Sequence, residues 1–251
     1  MNLLNMKLGR IKSPRDARDL KLAKYVKRFP SPPASCDWTI VREPWTMGMN
    51  DRIGDCTIVA PANMTIDWSA NESNKPLILS DKDILKAYSA ISGYNPITGD
   101  NDNGATIRDV LKYWQKTGIG GQKIDAYAAV QPLHLLAIQQ AVWIFGAVNI
   151  GLNMPLAWRN DALKVWDVGQ GKQYQPGSWG GHCVPIVGYN AKGVKVVTWT
   201  EIKTVTWKAI NAFCDEIWAV ISKLWVAKDA RSPSGFDLAT LKADLAQVTQ
   251  S

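Results

Sequence analysis

Histidine is scarce in this chain, since only His134 and His182 occur among its 251 residues. A mechanism that needs an imidazole as a proton acceptor therefore has two candidates. His134 follows Gln-Pro-Leu in an apolar stretch, which favours a structural role. His182 opens the hydrophobic segment Gly180-Gly-His-Cys-Val-Pro-Ile-Val-Gly-Tyr189 and is the stronger candidate for a base.

Long apolar runs and a recognisable secretion signal are also missing. No run of about 18 apolar residues occurs, so we expect no transmembrane helix and no membrane partner. The first ten residues lack the apolar stretch and the small-residue cleavage site of a signal peptide. We therefore expect a cytoplasmic location, or a place in a virion if a phage encodes the chain.

Paired metal-binding motifs are absent as well. The chain has four cysteines, and no two of them stand in a Cys-x-x-Cys pair: Cys36, Cys56, Cys183 and Cys214. The polar loop over residues 95–104 lacks the full calcium-loop pattern and its terminal Glu. We predict reduced thiols, although an even count permits disulfides, and we predict no metal and no cofactor.

The positive charge is concentrated at one end of the chain. Residues 1–28 hold nine basic and two acidic side chains, while the remainder holds 20 of each. We define residues 1–31 as the basic N-terminal arm, because Pro30 and the prolines after it suit an extended connector. Such an arm could contact an acidic protein or a nucleic acid. The alternative is a solvated extension that packs through Leu20, Leu22 and Tyr25.

Hydrophobic periodicity places helices before strands. Helices are predicted over 57–71, from Ser80 onward, and over 106–117, 133–145 and 208–214, and strands over 147–152, 184–189, 194–200 and 217–222. This order predicts an α+β fold, with a helical lobe at about 32–130 and a β lobe at about 131–231 within one domain, 32–231. Residues 232–251 are expected to form a tail with a short helix over 237–248.

The segment Asn50-Asp-Arg-Ile-Gly-Asp-Cys56 places a cysteine at the end of a Gly-containing turn and at the start of a predicted helix. A helix N-terminus and a nearby imidazolium both favour a thiolate, which is the nucleophilic form of cysteine. Cys56 with His182 is therefore the candidate nucleophile and base. The structural alternatives are a buried inert thiol and an ordinary strand histidine.

Five segments in the same order carry a resemblance to a known family: Pro33-Ala-Ser-Cys-Asp-Trp38, Asn50–Cys56, Leu79-Ser-Asp-Lys-Asp-Ile-Leu85, Asp102-Asn-Gly-Ala105 with Thr117-Gly-Ile119, and His182–Tyr189. Together they resemble the papain-like cysteine peptidases over roughly residues 32–225, and most closely uncharacterised members from bacteria and phages. His182 follows Cys56 by 126 residues, just under the family's span of about 130–150. The resemblance implies a two-lobed fold with a peptide-binding groove between the lobes.

The resemblance also implies roles for single residues. Asn50 stands where the family has the Gln that donates to the oxyanion, and it carries the same amide on a shorter stem. The family's Asn that orients the histidine is missing, and its place falls on Thr198 or Val197. A Thr hydroxyl is a weak orienting partner for an imidazole and Val is none, while Glu201 is a further candidate. Trp199 is expected to cover His182.

Two classes of function remain open from the sequence. One is a cysteine peptidase or related amide hydrolase, including a peptidoglycan-cleaving amidase. The other is a weak or inactive structural or adaptor protein on the same fold, such as a phage virion component anchored by its basic arm. A self-inhibited precursor is a weaker third reading, because the arm is short beside the family's inhibitory pro-domain.

Overall fold

The computed structural model describes residues 3, 6–24, 29–39 and 45–225. Five helices occur in these ranges: α1 Cys56–Ser73, α2 Asp81–Ser92, α3 Ile107–Lys116, α4 Leu135–Phe145 and α5 Trp207–Phe213. Each matches a predicted helix, and Ser80 caps α2 by accepting the backbone N–H of Asp83. The predicted helix over 237–248 lies outside the described residues.

Ten strands occur in the described part of the chain: β1 Arg10–Ile11, β2 Cys36–Asp37, β3 Ala105–Thr106, β4 Ala126–Val130, β5 Val148–Met154, β6 Val165–Trp166, β7 Gly180–Tyr189, β8 Gly193–Thr198, β9 Glu201–Thr206 and β10 Cys214–Ile221. Eight of them form a mostly antiparallel sheet in the order β4-β10-β5-β7-β8-β9-β6, with β2 paired to the end of β7. The predicted α+β class is confirmed. Strands β4 and β9 and the two-residue strands β1, β2, β3 and β6 were missing from the prediction.

Helix α1 is the central element of the helical lobe. All its residues from Cys56 to Ala70 are buried, which is the pattern of a helix enclosed on every side rather than of an amphipathic surface helix. Trp68 stacks on Trp114 of α3 with ring centroids 5.7 Å apart. The helix packs against β7 of the sheet. Its N-terminal residue, Cys56, is thereby held against the β lobe.

The described part of the arm runs over the body rather than into solvent. Its residues Arg10 and Ile11 form β1, which pairs in parallel with β3 of the helical lobe. Further along, the Leu20 carbonyl accepts the Ala129 N–H of β4, and Leu22 is buried. Tyr25 lies outside the described residues. Within the described ranges, no helix is both long and apolar enough to cross a membrane.

Candidate active site

Cys56 is the first residue of α1, and the turn before it is fixed by hydrogen bonds. The Asp55 carboxylate accepts the Met49 N–H at 3.0 Å, and the Ile53 N–H bonds back to the Met49 carbonyl at 2.8 Å. The N-terminus of α1 therefore points its free N–H groups and the positive end of its dipole at the sulfur. Such an environment favours a thiolate once water reaches it.

Asp102 supports the same turn from the loop before α3. Its Oδ1 accepts the Gly54 N–H at 2.9 Å and the Tyr88 hydroxyl at 2.6 Å, and Tyr88 in turn accepts the Gly104 N–H at 3.0 Å. No role in the site was predicted for this loop from its sequence. The contact joins residues 48 positions apart, so no local pattern could have identified it.

His182 lies near the start of β7 and is almost fully buried. Its Nε2 is 2.9 Å from the Thr198 hydroxyl, and its Nδ1 has no hydrogen-bond partner among the described residues. The Trp199 indole stacks on the imidazole at 4.5 Å between centroids with 17° between planes. The expected position of Trp199 over His182 is confirmed.

The hairpin turn that carries Trp199 is strained. Trp199 and Thr200 connect β8 to β9 with φ of 46° and 65°, a conformation that suits Asn-Gly and costs other residues about 1–2 kcal/mol each. This left-handed turn places the indole above the imidazole. Glu201, the other orienting candidate, instead pairs with Lys203 at 2.7 Å and Lys164 at 3.5 Å.

One cavity brings the predicted residues together. Asn50, Cys56, His182 and Thr198 all line it, with Trp199 as part of its wall. Its volume of about 10 Å³ is close to the minimum for a single water molecule. The site as it stands therefore has no room for a substrate.

The arm fills the space that a substrate would need. The Asn50 side-chain amide donates to the Lys7 carbonyl at 3.2 Å, and the Lys7 N–H donates to the Asn50 carbonyl at 3.0 Å. Gly9 lies between Gly54 and Gly104, where a Cβ on any of the three would overlap a neighbouring backbone or press closely on it. The short arm does cover the cysteine, against the expectation from its length, because a few residues suffice to cross the cleft.

Enclosure keeps the reactive pair neutral. Burial raises the pKa of Cys56 to about 12, although backbone hydrogen bonds from Gly9 and Cys183 favour the thiolate. Burial likewise lowers the pKa of His182 to about 3. Proton transfer from sulfur to imidazole is therefore unfavourable while the arm is in place, and hydration of the cleft would move both pKa values toward each other.

Cys183 also lines the cavity but does not begin a helix, and Cys36, Cys214 and His134 do not line it. All four cysteines are free and buried, and burial raises the pKa of Cys36 and of Cys214 to about 12. Cys183 contacts Asn149, with its sulfur 2.9 Å from Oδ1. His134 caps α4 by accepting the Ala137 N–H on Nδ1. The described residues contain no cluster of three or more potential metal ligands.

Solved structures share this architecture. Xylellain, a cysteine protease from Xylella fastidiosa, superposes with a TM-score of 0.67 over 87% of this chain and 97% of its own, at 19% identity. The chain has the fold of the papain-like cysteine proteases. Procathepsin B S9 from Trypanosoma congolense gives 0.62 at 11% identity over 86% of each chain. The Carica candamarcensis cysteine protease CMS1MS2, solved with E-64, gives 0.55 at 16% over 76% of this chain and 99% of its own.

Sequence comparison adds nothing to this structural likeness. No family model matches the papain-fold chain, and no curated protein matches it. The likeness at these identities concerns the fold, so the activity has to be argued from the residues of the cleft.

Proposed function

We propose that this papain-fold protein is a cysteine peptidase or a related amide hydrolase. Cys56 would be the nucleophile, and His182 the base and then the acid. The Asn50 amide and the Cys56 N–H would donate to the oxyanion, while Thr198 would orient the imidazole. The fold, the cavity shared by all four residues and the position of Cys56 at a helix N-terminus support these roles.

The chemistry follows from these positions. The Cys56 sulfur bonds to the carbonyl carbon of a peptide as its proton passes to His182, and the oxygen becomes an anion held by two N–H donors. The imidazolium then protonates the leaving nitrogen as the C–N bond breaks. Water, deprotonated by His182, hydrolyses the acyl-enzyme and restores the thiol.

A single observation carries the proposal: the cleft already holds an extended peptide. The arm places its Lys7 carbonyl on the Asn50 amide, and its Gly9 backbone packs against Gly54, two residues before Cys56. Asn50 is thus able to donate to a peptide carbonyl from its position in the cleft. A groove that binds one strand of peptide beside a cysteine suits a peptide or protein substrate.

A second candidate is a structural or adaptor protein with a weak or inactive site. The neutral pair and the hydroxyl at Thr198, in place of a side-chain amide, favour it. Under this proposal, exposed basic residues of the arm would bind an acidic protein or a nucleic acid, in the cytoplasm or in a phage virion. Lys12, Arg15 and Lys21 are among those exposed residues.

Alkylation of the full-length chain tests the first proposal. The Arg10→Ala variant, which weakens the arm's hold on the cleft, is treated with iodoacetamide, and the rates at all four cysteines are mapped by mass spectrometry. We expect Cys56 to react at least about tenfold faster than the other three, because it alone of the four begins a helix, and it shares the cavity with His182.

The two histidines supply a matched control. His182→Gln should abolish the selective reaction in the Arg10→Ala background, whereas His134→Asn, which keeps a helix cap, should leave it unchanged. The same samples are assayed for hydrolysis of a labelled casein, with Cys56→Ser as the blank. Equal rates at all four cysteines, or indifference to His182→Gln, would refute the hydrolase and favour the scaffold.

A further inference from the structure

Arg10 is the arm residue that follows Gly9, and its side chain is enclosed, with only 1% of its surface exposed. Its Nη2 bonds to Asp215 at 2.5 Å and to Glu216 at 2.7 Å, and its Nη1 lies 3.5 Å from the Asn153 oxygen. A cation from the most basic part of the chain thus occupies a carboxylate-lined pocket in the β lobe. We call this the guanidinium pocket.

Two glycines give the pocket its width. A Cβ at Gly151 of β5 would come within 2.5 Å of the Arg10 guanidinium carbon, and one at Gly181 of β7 would overlap the Arg10 carbonyl oxygen. Alanine at either position would therefore narrow the pocket or displace the backbone that enters it. The pocket is shaped for a long side chain on an extended strand.

The two carboxylates of the pocket accept hydrogen bonds from the body of the protein as well as from Arg10. The Trp218 indole N–H donates to Glu216 at 2.8 Å, and the Asn153 amide donates to Asp215 at 3.0 Å. Burial acts to raise the pKa of Asp215, but the charge of Arg10 and the hydrogen bonds from Asn153, Arg10 and Lys12 lower it below its ordinary value. Leaving two enclosed carboxylates without a cation raises the free energy of the folded protein. A pocket that Arg10 has left would therefore bind another cation.

The geometry of the donors favours arginine over lysine. Nη2 of Arg10 reaches both carboxylates and Nη1 lies 3.5 Å from the Asn153 oxygen, so the guanidinium faces three partners with two nitrogens. A lysine ammonium offers one nitrogen at the end of a flexible stem. Lys12 reaches only Asp215, at 3.1 Å, with 66% of its side chain exposed, and so lies at the mouth.

We infer that the guanidinium pocket, formed by Gly151, Asn153, Gly181, Asp215 and Glu216, selects substrates with an arginine side chain, and that Arg10 occupies it as a built-in substrate mimic. The inference rests on the proposed function, because a pocket beside Cys56 selects substrates only if Cys56 reacts with them. The neighbouring Gly9 backbone packs against Gly54, two residues before Cys56. An arginine in the pocket thus places its own peptide backbone within reach of the nucleophile.

Thiol-reactive peptide probes test the inference on the full-length Arg10→Ala variant. The probes are peptidyl vinyl sulfones that carry arginine, citrulline, lysine or leucine at each of the two residues next to the reactive group. Citrulline matches arginine in shape but is neutral. At one of the two positions we expect arginine to modify Cys56 at least about 30-fold faster than citrulline, with lysine between them.

A second variant replaces the two carboxylates of the pocket with neutral amides. Adding Asp215→Asn and Glu216→Gln to Arg10→Ala should bring the arginine and citrulline rates within about threefold of each other. Adding Asp100→Asn instead, in an exposed loop, should leave the preference intact. Thermal unfolding of each variant confirms that a lost preference does not reflect a lost fold.

The possible outcomes separate the two proposals. Equal modification of Cys56 by arginine and citrulline probes overturns the inference and leaves the hydrolase standing. Modification by iodoacetamide but by no peptide probe also overturns it, since the arm would then hold the cleft without Arg10. If neither reagent modifies Cys56 in the folded variant, the hydrolase fails and the inference with it.

Discussion

The two walls of the cleft hold their reactive side chains in different ways. On the helical wall, Cys56 follows a turn that Asp55 and Asp102 bind through backbone N–H groups. On the sheet wall, the His182 imidazole has one hydrogen-bond partner among the described residues, Thr198, and Trp199 stacks on it. The turn before the sulfur is thus fixed by several independent contacts, whereas the orientation of the imidazole depends on one hydroxyl and one stacked indole.

The largest predicted effect concerns the stability of the helical wall. Burial raises the pKa of Asp55 to about 7, so the folded chain retains a proton that the unfolded chain loses near pH 4. The stability from this group is complete below pH 4 and is lost as the pH rises to about 7, on the order of 3–4 kcal/mol in all. Asp55→Asn should remove that dependence, which urea unfolding at pH 5 and pH 8 would measure.

The neighbouring Asp51 supplies the control for that experiment. Its side chain is 43% exposed and lies beside Arg52, so Asp51→Asn should leave the pH dependence as in the unaltered chain. A wild-type chain whose loss of stability between pH 5 and pH 8 equals that of Asp55→Asn would contradict the prediction.

The second effect concerns catalysis from the same wall. Asn50→Ala removes the side-chain amide. In the Arg10→Ala background it should lower kcat about 10²–10³-fold, because one oxyanion donor is lost. Alkylation of Cys56 by iodoacetamide forms no oxyanion and should change little. Asn50→Gln restores the amide and should recover part of kcat. A parallel loss of alkylation and hydrolysis would show that Asn50 supports the turn instead.

The third effect, smaller, tests the sheet wall. Thr198→Val removes the hydroxyl from His182 Nε2 while keeping the shape, and we expect about a tenfold fall in kcat with little change in KM. Thr198→Ser keeps the hydroxyl and should lose less than half of that effect. If valine and serine gave the same rates, the aromatic neighbour Trp199 would be the part that orients the imidazole.

The smallest effect on stability belongs to the exposed basic residues of the arm, which form neither wall. Replacing Arg15, Lys21 and Lys24 with Gln should change the free energy of unfolding by less than about 0.5 kcal/mol. Heparin binding should weaken, and its logarithmic salt slope should fall by about 2–3. The control replaces the exposed Lys82, Lys86 and Lys112 of the helical lobe. Equal losses from the two triplets would contradict a polyanion site on the arm.

Local patterns predicted the elements well and the long-range contacts poorly. Apolar spacing and caps located both ends of α1 and α3 and the start of α2 within two residues, because those signals lie within a few positions of each other. Strand β4 was missed, since its burial alternates only partly and its partner β10 is remote in sequence. Asp102 and Arg10 were missed as parts of the cleft for the same reason: their partners lie 48 and more than 200 positions away.

Charge counts also fail to predict which basic residues of the arm are buried. Arg10 is one of the nine basic residues counted in residues 1–28, for which either a solvated extension or contact with an acidic partner was expected. The structure instead buries it against two carboxylates. The departure at Thr198 was visible in the sequence because the resemblance fixed which side chain to expect. The contact with His182 could be suspected but not measured without the hairpin that joins β8 to β9.

The constriction at Gly54 and Gly104 has a consequence for how the arm threads the cleft. Only a residue without a side chain fits between them, and in the arm that residue is Gly9. Sliding the arm by one position would bring Leu8 or Arg10 to the narrow point, so the strand can dock in a single alignment. The constriction therefore fixes the alignment of the arm, with Gly9 at the narrow point and Arg10 in the guanidinium pocket.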